Sequence, residues 1–389
     1  MDDRTIEQKI VNEEYKVWKK NVPYLYDLLF SHTLQWPSLS VQWFPDVSRD
    51  EERARTTQRL LLSTHTSGSD EECVMIAKLD FPDEFDEDMN GEEEGNGEGD
   101  MKLKVLQRVP VLAEANRVRY CPSACNILAV RSDLSDVHVY DYTRHLSHEK
   151  IAKPDMTLRG HASGGFGIAW NNMASGELAS CGEDMCVCVY DILEESAVIE
   201  PRTVLKGHDA VVNDCSFSFF DRKMLASVGD DKMLMVWDAG SGEVVHSVDA
   251  HTTDVFCVKF SPVDVNAIAT CSGDKSVKIW DIRKLDTAVN VLLGHSKDVL
   301  SVEWSPHSST MLCSGGADRR VIVWDLARAG IEVSEEYRAE GPPELRFMHG
   351  GHTGTVCDVS WNPAEPYEVA SVSEDNALQV WQMTKDVYD

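Results

Sequence analysis

The sequence is short of positive charge. Its 389 residues contain 37 Lys and Arg against 66 Asp and Glu, which gives a formal net charge of −29. Because a phosphate backbone repels such a chain, the composition argues against a general nucleic-acid-binding protein. The same negative field attracts basic proteins and steers them toward the surface. We therefore expect basic protein partners and no direct contact with nucleic acid.

Long apolar runs are also missing. No segment approaches the roughly 20 apolar residues that a membrane-spanning helix needs, and the charged first residues do not resemble a secretory signal. The 11 cysteines are scattered and odd in number, which is typical of free thiols in a reducing compartment. No phosphate-binding loop, dinucleotide fingerprint or isolated nucleophile motif occurs. Because Cys186 and Cys188 lack zinc-ligand spacing and partner histidines, we expect no metal site and no cofactor.

What the chain does contain is an internal repeat anchored by histidine. Each of five histidines is followed 19 residues later by Ser or Thr, 23 residues later by Asp, and 29 residues later by Tyr or Trp. These histidines are His161, His208, His251, His295 and His352. Their spacings of 47, 43, 44 and 57 residues match or exceed the period of about 40 to 45 residues that is typical of WD repeats.

Strand-like segments lie between these anchors. Runs such as 277–280 and 321–324 alternate as half-buried strands do, and turn residues separate them. The pattern resembles a WD40 β-propeller with four strands per blade. A degenerate sixth copy covers 117–141 and a seventh covers 39–79. We therefore predict an all-β fold, a seven-bladed WD40 β-propeller with an N-terminal α-helix, in which an N-terminal strand closes the ring.

The repeated Ser, His and Asp allow two interpretations. One is a hydrolytic triad, and the other is a hydrogen-bonded network that holds each blade together. A catalytic triad occurs once in an enzyme, whereas this set occurs five times at one spacing. We therefore predict a structural network, no catalytic residues and no enzyme activity.

Residues 1–32 are predicted to form a helical segment that packs on the propeller of residues 33–389. Apolar residues recur at helical spacing in its first half, and they are Ile6, Ile10, Val17 and Trp18. A proline at position 23 interrupts this pattern, and a second apolar face then continues through residue 30. We expect part of this second face to stay open to a partner helix, namely Tyr24, Leu25, Leu28 and Leu29.

A run of acid interrupts the first predicted blade. Residues 83–100 hold ten Asp or Glu and no Lys or Arg. This composition predicts a disordered surface loop. Simple solvation and contact with a basic partner are equally compatible with it.

The connection before the last repeat is enlarged by about 13 residues relative to its neighbours. Its surplus, within residues 330–350, combines acidic residues with Gly341-Pro-Pro and the apolar residues that follow. Carboxylates suit Arg and apolar side chains suit the other face of an amphipathic basic helix, so we favour a binding loop. The alternative is a loop that only covers the N-terminal helix.

Several motifs resemble one family closely. They are residues 12–21 (NEEYKVWKKN), 34–39 (LQWPSL), 341–345 (GPPEL) and 371–376 (SVSEDN). The chain is thereby similar to the histone-binding WD-repeat proteins of the retinoblastoma-binding-protein or MSI type. The resemblance implies a chaperone or scaffold subunit of chromatin assembly and modifying complexes. It implies a nuclear protein, with the cytoplasm left open.

The resemblance also implies two peptide sites. The first helix of histone H4 is expected between the N-terminal helix and the Gly-Pro-Pro loop, at Tyr24, Leu25, Leu28, Leu29, Glu340, Gly341, Leu345, Phe347, Met348 and Val387. A basic peptide such as the histone H3 tail is expected on the top face, at Trp36, His65, Glu114, Asn116, Arg117, Arg119 and Glu374. Gly164 and Asn213 stand where the family has acids, so we expect weak capture of the H3 tail.

Two other functions remain open at this point. Trp280-Asp-Ile-Arg283 resembles the motif by which some propellers dock on a ubiquitin-ligase adaptor, although an ordinary repeat end has the same pattern. A ribosome-assembly WD protein is the third interpretation, since some of those proteins carry acidic tracts.

Overall fold

Seven four-stranded units, arranged as a ring, make up most of this computed structural model. It describes residues 3–50, 52, 54–82, 101–147, 150–193, 196–332 and 341–388, the side chains of 3–5 and 82 excepted. The acidic run 83–100, and Glu335, Glu336 and Glu340 of the enlarged connection, lie outside these residues. Helix α1 (Asp3–Leu25) comes first and is followed by strand β1 (Tyr26–Thr33).

The blades follow one another along the chain. Blade 1 comprises β2 (Val41–Asp50), β3 (Arg55–Ser63), β4 (Cys73–Pro82) and β5 (Lys102–Pro110). Blade 2 comprises β6 (Ala115–Cys121), β7 (Ala124–Ser132), β8 (Val137–Asp141) and β9 (Met156–Leu158), with β13 (Val198–Ile199) added in parallel. Blade 3 comprises β10 (Ile168–Trp170), β11 (Glu177–Cys181), β12 (Cys186–Asp191) and β14 (Thr203–Lys206).

The remaining four blades repeat the arrangement. Blade 4 comprises β15 (Val212–Phe217), β16 (Met224–Gly229), β17 (Met233–Asp238) and β18 (Glu243–Asp249). Blade 5 comprises β19 (Val255–Phe260), β20 (Ala267–Ser272), β21 (Ser276–Asp281) and β22 (Asn290–Leu293). Blade 6 comprises β23 (Val299–Trp304), β24 (Met311–Gly316), β25 (Val321–Asp325) and β26 (Leu345–His349). Blade 7 comprises β27 (Val356–Trp361), β28 (Glu368–Ser373), β29 (Ala377–Met383) and β1, and the short helix α2 (Lys385–Tyr388) follows.

The ring is closed as expected. Strand β1 pairs antiparallel with β29, with Phe30 opposite Val380, so the last blade takes its outer strand from the N-terminal region. This pairing removes an exposed sheet edge. The prediction of a seven-bladed WD40 propeller with an N-terminal helix is confirmed.

The predicted boundary at residue 32 is wrong. Helix α1 runs through Pro23 and ends at Leu25, and the apolar run that follows is a strand of the propeller. Pro23 lies in the last turn of the helix, where its missing N–H removes only one hydrogen bond. A short apolar run does not distinguish helix from strand by itself, and pairing with β29 decides the matter here.

The repeated polar residues form the predicted network. In blade 4, His208 Nδ1 lies 2.7 Å from Asp231 Oδ2 and His208 Nε2 lies 2.7 Å from Ser227 Oγ. Trp237 Nε1 donates to the same Ser227 oxygen at 2.7 Å. Because an indole can only donate, the Ser227 hydroxyl donates to His208 Nε2, and Nδ1–H is left for the carboxylate.

Blade 2, which lacks the histidine, uses a different device. Arg131 is fully buried and donates to the backbone oxygens of Cys181, Ser163 and Leu134, all at 2.8–2.9 Å. One guanidinium thus links blade 2 to blade 3.

Candidate functional site

Helix α1 is attached to the propeller through Trp18. The Trp18 indole donates to the Tyr26 hydroxyl at 2.8 Å, and this hydroxyl lies 2.7 Å from Nδ1 of His349. The chain of contacts ends where His349 Nε2 meets Gln379 Oε1 at 2.6 Å. Burial raises the pKa of Tyr26 and lowers that of His349, so both groups are neutral at pH 7.

A glycine makes room for this tryptophan. A Cβ atom at Gly351 would lie 2.7 Å from Cζ2 of the Trp18 ring and would also meet the Gln379 side chain. Such a distance is far below ordinary van der Waals contact, so Trp18 reaches its position only because residue 351 has no side chain.

Ion pairs flank the same attachment. Glu14 lies 2.9 Å from both Arg319 and Arg320, and Glu7 lies 3.4 Å from Lys297. Exposed pairs of this kind contribute about 0–1 kcal/mol each. They orient the helix, whereas the packing of Trp18 provides most of its attachment.

The opposite face of α1 is apolar and exposed. Ile10 is 53 % exposed, Val17 is 59 % exposed and Tyr24 is 78 % exposed, and Ile6 continues the stripe toward the start of the helix. Residues at these spacings lie on one side of a helix. A run of exposed apolar side chains marks a site of interaction.

This face forms one wall of a groove. The groove has a volume of about 650 Å³, and Ile10, Val17 and Trp18 line it from the helix, while Met348 lines it from β26. Its polar lining residues are Lys9, Glu13, Glu14 and Arg320. An apolar floor with charged edges is the environment that an amphipathic helix needs.

The structure distributes the residues expected around an H4 helix in three ways. Tyr24 and Met348 are exposed, and Met348 lines the groove. Leu25, Leu29, Gly341, Leu345 and Val387 are half-buried, and all of these except Gly341 and Leu345 pack against the core of blades 6 and 7. Glu340 lies outside the described residues.

Leu28 and Phe347 require a correction, because both are buried and leave little surface for a partner. Leu28 is only 7 % exposed and belongs to the core between blades 7 and 1. It lies on a strand, where alternate side chains point to opposite faces, and not on a helix with one open stripe. The Phe347 ring packs 5.3 Å from that of Tyr26 and 5.8 Å from that of Trp381.

Sequence reasoning missed part of the groove wall. Ile10 and Val17 were recognised as periodic, but together with Trp18 they were assigned to packing on the propeller. In the structure Trp18 is half-buried, whereas Ile10 and Val17 are exposed. Consecutive helical residues differ by about 100° in direction, so Val17 and Trp18 can serve different faces, and this signal was present in the sequence.

The residues expected on the top face also separate into two groups. Trp36 donates to Asp70 at 3.1 Å, His65 forms an ion pair with Glu114, and Glu374 is exposed. These side chains remain accessible or half-buried at one end of the ring.

The other three expected top-face residues are not accessible, which corrects the expectation. Asn116 is buried and donates to Asp133 at 2.8 Å. Arg117 is buried 3.5 Å from Asp214, and Arg119 points along the central channel to Asp358 at 2.9 Å. The innermost strand of a blade lines the channel, which is why these residues face inward.

Metal and membrane sites are absent from the described part of the chain. No group of three or more His, Cys, Asp or Glu residues there is placed to hold a metal ion. No helix among those residues is long and apolar enough to span a membrane.

The fold and the groove define a class: a WD-repeat propeller that carries an N-terminal helix for protein recognition. Residues 13–83 match the family model described as histone-binding protein RBBP4 or the corresponding CAF1 complex component. The WD domain, G-beta repeat model matches residues 199–238, 242–281, 286–325 and 344–382.

A curated relative extends this match over nearly the whole chain. Histone acetyltransferase type B subunit 2 of Encephalitozoon cuniculi (strain GB-M1) is 67 % identical over 384 residues, covering 98 % of this chain and 99 % of the relative. The chain therefore belongs to the RBBP4/CAF1 family of histone-binding WD-repeat proteins. The resemblance found in the sequence motifs is confirmed.

Proposed function

We propose that this protein is a histone chaperone and scaffold subunit that binds the first helix of histone H4 between α1 and the Gly-Pro-Pro loop. The observation that carries this proposal is the exposed apolar stripe of α1 beside Met348, which gives a partner helix a continuous surface to cover. A basic histone helix also suits a chain with a net charge of −29.

The corrected residue assignments sharpen the proposed contact. Ile10, Val17, Tyr24 and Met348 provide the apolar surface, because they are the exposed members of the region. Carboxylates at Glu13 and, beyond the described residues, Glu340 provide acceptors for Arg. Leu28 and Phe347 support this surface from below.

The proposed role is that of a scaffold and not of a catalyst. Such a subunit holds the histone while other subunits of a chromatin assembly or modifying complex act on it, which implies a nuclear protein. The relative is named as a subunit of a histone acetyltransferase, and its name is consistent with this role.

A second ligand on the top face has weaker support. The indole of Trp36 lies beside Asp70, and Glu114 and Glu374 add two carboxylates at the same end of the ring. This set suits a basic peptide such as the H3 tail. Asn213 bonds to Asp230 and the Val255 carbonyl and adds no charge, so we expect weaker binding than in the α1 groove.

The alternative functions receive less support from the structure. Arg283 of the motif that resembles a ligase-docking sequence is held by Asp281 at 2.6 Å, as expected of an ordinary repeat end. No observation favours the ribosome-assembly hypothesis.

The variant Val17→Asp tests the proposed groove. It places a charge on the apolar stripe, and we expect the affinity for a fluorescent peptide of the first H4 helix to fall at least tenfold in anisotropy titrations. Val291→Asp is the matched control, since Val291 is 51 % exposed on blade 5, away from the groove. Equal affinities of both variants would exclude the stripe from the H4 site.

A further inference from the structure

The central channel ends in a cavity of about 310 Å³ at the side where the innermost strands finish. All seven innermost strands contribute to its wall, and α1 does not. Four prolines form an apolar rim, namely Pro122, Pro262, Pro306 and Pro363. The charged side chains that line the cavity are Arg119, Lys259 and Glu303.

The polar side chains of this wall have used their acceptors. Each takes a backbone N–H from the next blade, so its oxygen is occupied while its donor remains. The pairs are Tyr120 N to Gln42 Oε1 at 3.1 Å, Phe260 N to Ser216 Oγ at 3.2 Å, Trp43 N to Ser360 Oγ at 3.2 Å, and Trp361 N to Glu303 Oε2 at 2.6 Å. Among the described residues, nothing accepts a hydrogen bond from the Gln42 amide or the Ser360 hydroxyl. The cavity is therefore rich in donors and poor in free acceptors.

The charges along the channel are unequal in number. Lys259 Nζ lies 2.9 Å from Asp214, Arg119 lies 2.9 Å from Asp358, and Arg117 lies 3.5 Å from the same Asp214. Two carboxylates thus serve three cations. Partly compensated cations next to a cavity attract an anion.

Glu303 reinforces this excess. Burial, with repulsion from Asp358, raises the pKa of Glu303 to about 8, so its carboxyl is mostly protonated at pH 7 and can donate. The titratable and charged groups that face it are Arg119, Lys259, Asp358, Tyr120 and Cys313. With Glu303 neutral, the channel cluster keeps a net positive charge inside a strongly acidic protein.

We propose that this cavity binds a small oxyanion of the phosphate class, held by Lys259, Arg119 and the donors of Gln42 and Ser360. Its volume is at the lower end of small-molecule sites, which suits free phosphate or a phosphate monoester. This site is separate from the α1 groove and does not depend on histone binding.

Calorimetric titration of the full-length protein with inorganic phosphate, and then with glycerol 2-phosphate, tests the site. We expect saturable one-site binding of at least one of them. Tighter binding of the monoester would identify an esterified ligand, and tighter binding of inorganic phosphate would identify the free anion. Absence of saturable binding to either probe would overturn the proposal.

Ala169→Asp provides the variant. Ala169 lines the cavity and its methyl group makes no hydrogen bond, so the substitution adds a negative charge without removing a native contact. We expect phosphate affinity to fall at least tenfold, with circular dichroism and Tm confirming a folded protein. Ala210→Asp, in the half-buried loop before β15, is the control. Unchanged phosphate affinity in Ala169→Asp would place the anion elsewhere and overturn the assignment.

The pH dependence distinguishes the role of Glu303. Sulfate keeps a constant charge between pH 6 and 9, so it is the probe for this series. We expect sulfate affinity to fall as the pH rises through about 8, because Glu303 ionises, and Glu303→Gln to abolish this dependence. The same loss of affinity in Glu303→Gln would remove Glu303 from the site.

Discussion

The blade network and the α1 groove use polar and apolar residues in opposite ways. The network of His, Asp, Ser or Thr and an aromatic residue occurs in five blades, and its histidines are buried. The groove occurs once, and its apolar residues are exposed. Repetition with burial identifies what holds the molecule together. A single exposed apolar surface identifies what it recognises.

This difference yields separable expectations for mutants. Breaking the network changes stability and leaves the groove intact, whereas changing the groove alters binding and leaves stability intact. Trp18 joins the two, because it both anchors α1 and lines the groove.

The largest expected effect on stability comes from the network. His208→Ala leaves the buried Ser227 and the Asp231 carboxylate without their partner, and we expect a loss of about 3 kcal/mol in the free energy of unfolding. Denaturant titration measures this loss. His246→Ala, on the exposed strand β18, is the control. A loss no larger than that of His246→Ala would mean that the network does not stabilise the blade.

Trp18→Ala comes next and affects both properties. Trp18 is only half-buried, so we expect a loss of about 2 kcal/mol, less than the roughly 3–5 kcal/mol of a fully buried tryptophan. Binding of the H4 peptide should weaken as well, because α1 loses its anchor. Trp18→Phe keeps most of the packing and removes only the N–H donor to Tyr26. Peptide binding by Trp18→Ala at the wild-type level would show that α1 needs no anchor.

Glu340→Lys should affect binding alone. We expect at least a tenfold loss in affinity for the H4 helix, or about 1.4 kcal/mol, since a Lys would repel an Arg of the peptide. Unfolding should be unchanged. Glu243→Lys on the exposed strand β18 makes the same charge change away from the groove. Affinity within twofold of the wild type would remove Glu340 from the site.

Acid should weaken the network more gradually. Burial lowers the pKa of both His251 and His352 to about 4, from an ordinary value of 6.5. Between these values the unfolded chain binds protons that the folded chain does not, so stability falls as the pH drops from about 6.5 to about 4. Burial alone would raise the pKa of Asp274, but its hydrogen bonds and His251 lower it to about 2, and its contribution is lost only below about pH 3.8. Thermal unfolding at a series of pH values measures this, and a constant Tm from pH 6.5 to 4 would contradict it.

The sequence predicted the repeated part of the molecule well because its signals are local. Each network lies within 30 residues, and strand alternation repeats in every blade. The end of α1 at Leu25 was missed because pairing of β1 with β29 joins residues about 350 positions apart. The inward direction of Arg119 was missed for the same reason, since its partner Asp358 is 239 residues away.

The groove was predicted only in outline. Family motifs located it between α1 and the Gly-Pro-Pro segment, and Met348 does line it. Which helix residues face it depends on how Trp18 fits against Gly351, and the sequence alone does not provide this contact. For this reason Ile10 and Val17 were underestimated, and Leu28 was overestimated.

Calorimetric titration of the first H4 helix peptide into the wild-type protein, at two salt concentrations, tests the central claim most directly. The account predicts micromolar or tighter binding that weakens at higher salt, because an acidic protein captures a basic helix over an apolar floor. Absence of detectable binding by a protein shown to be folded would contradict the proposed groove.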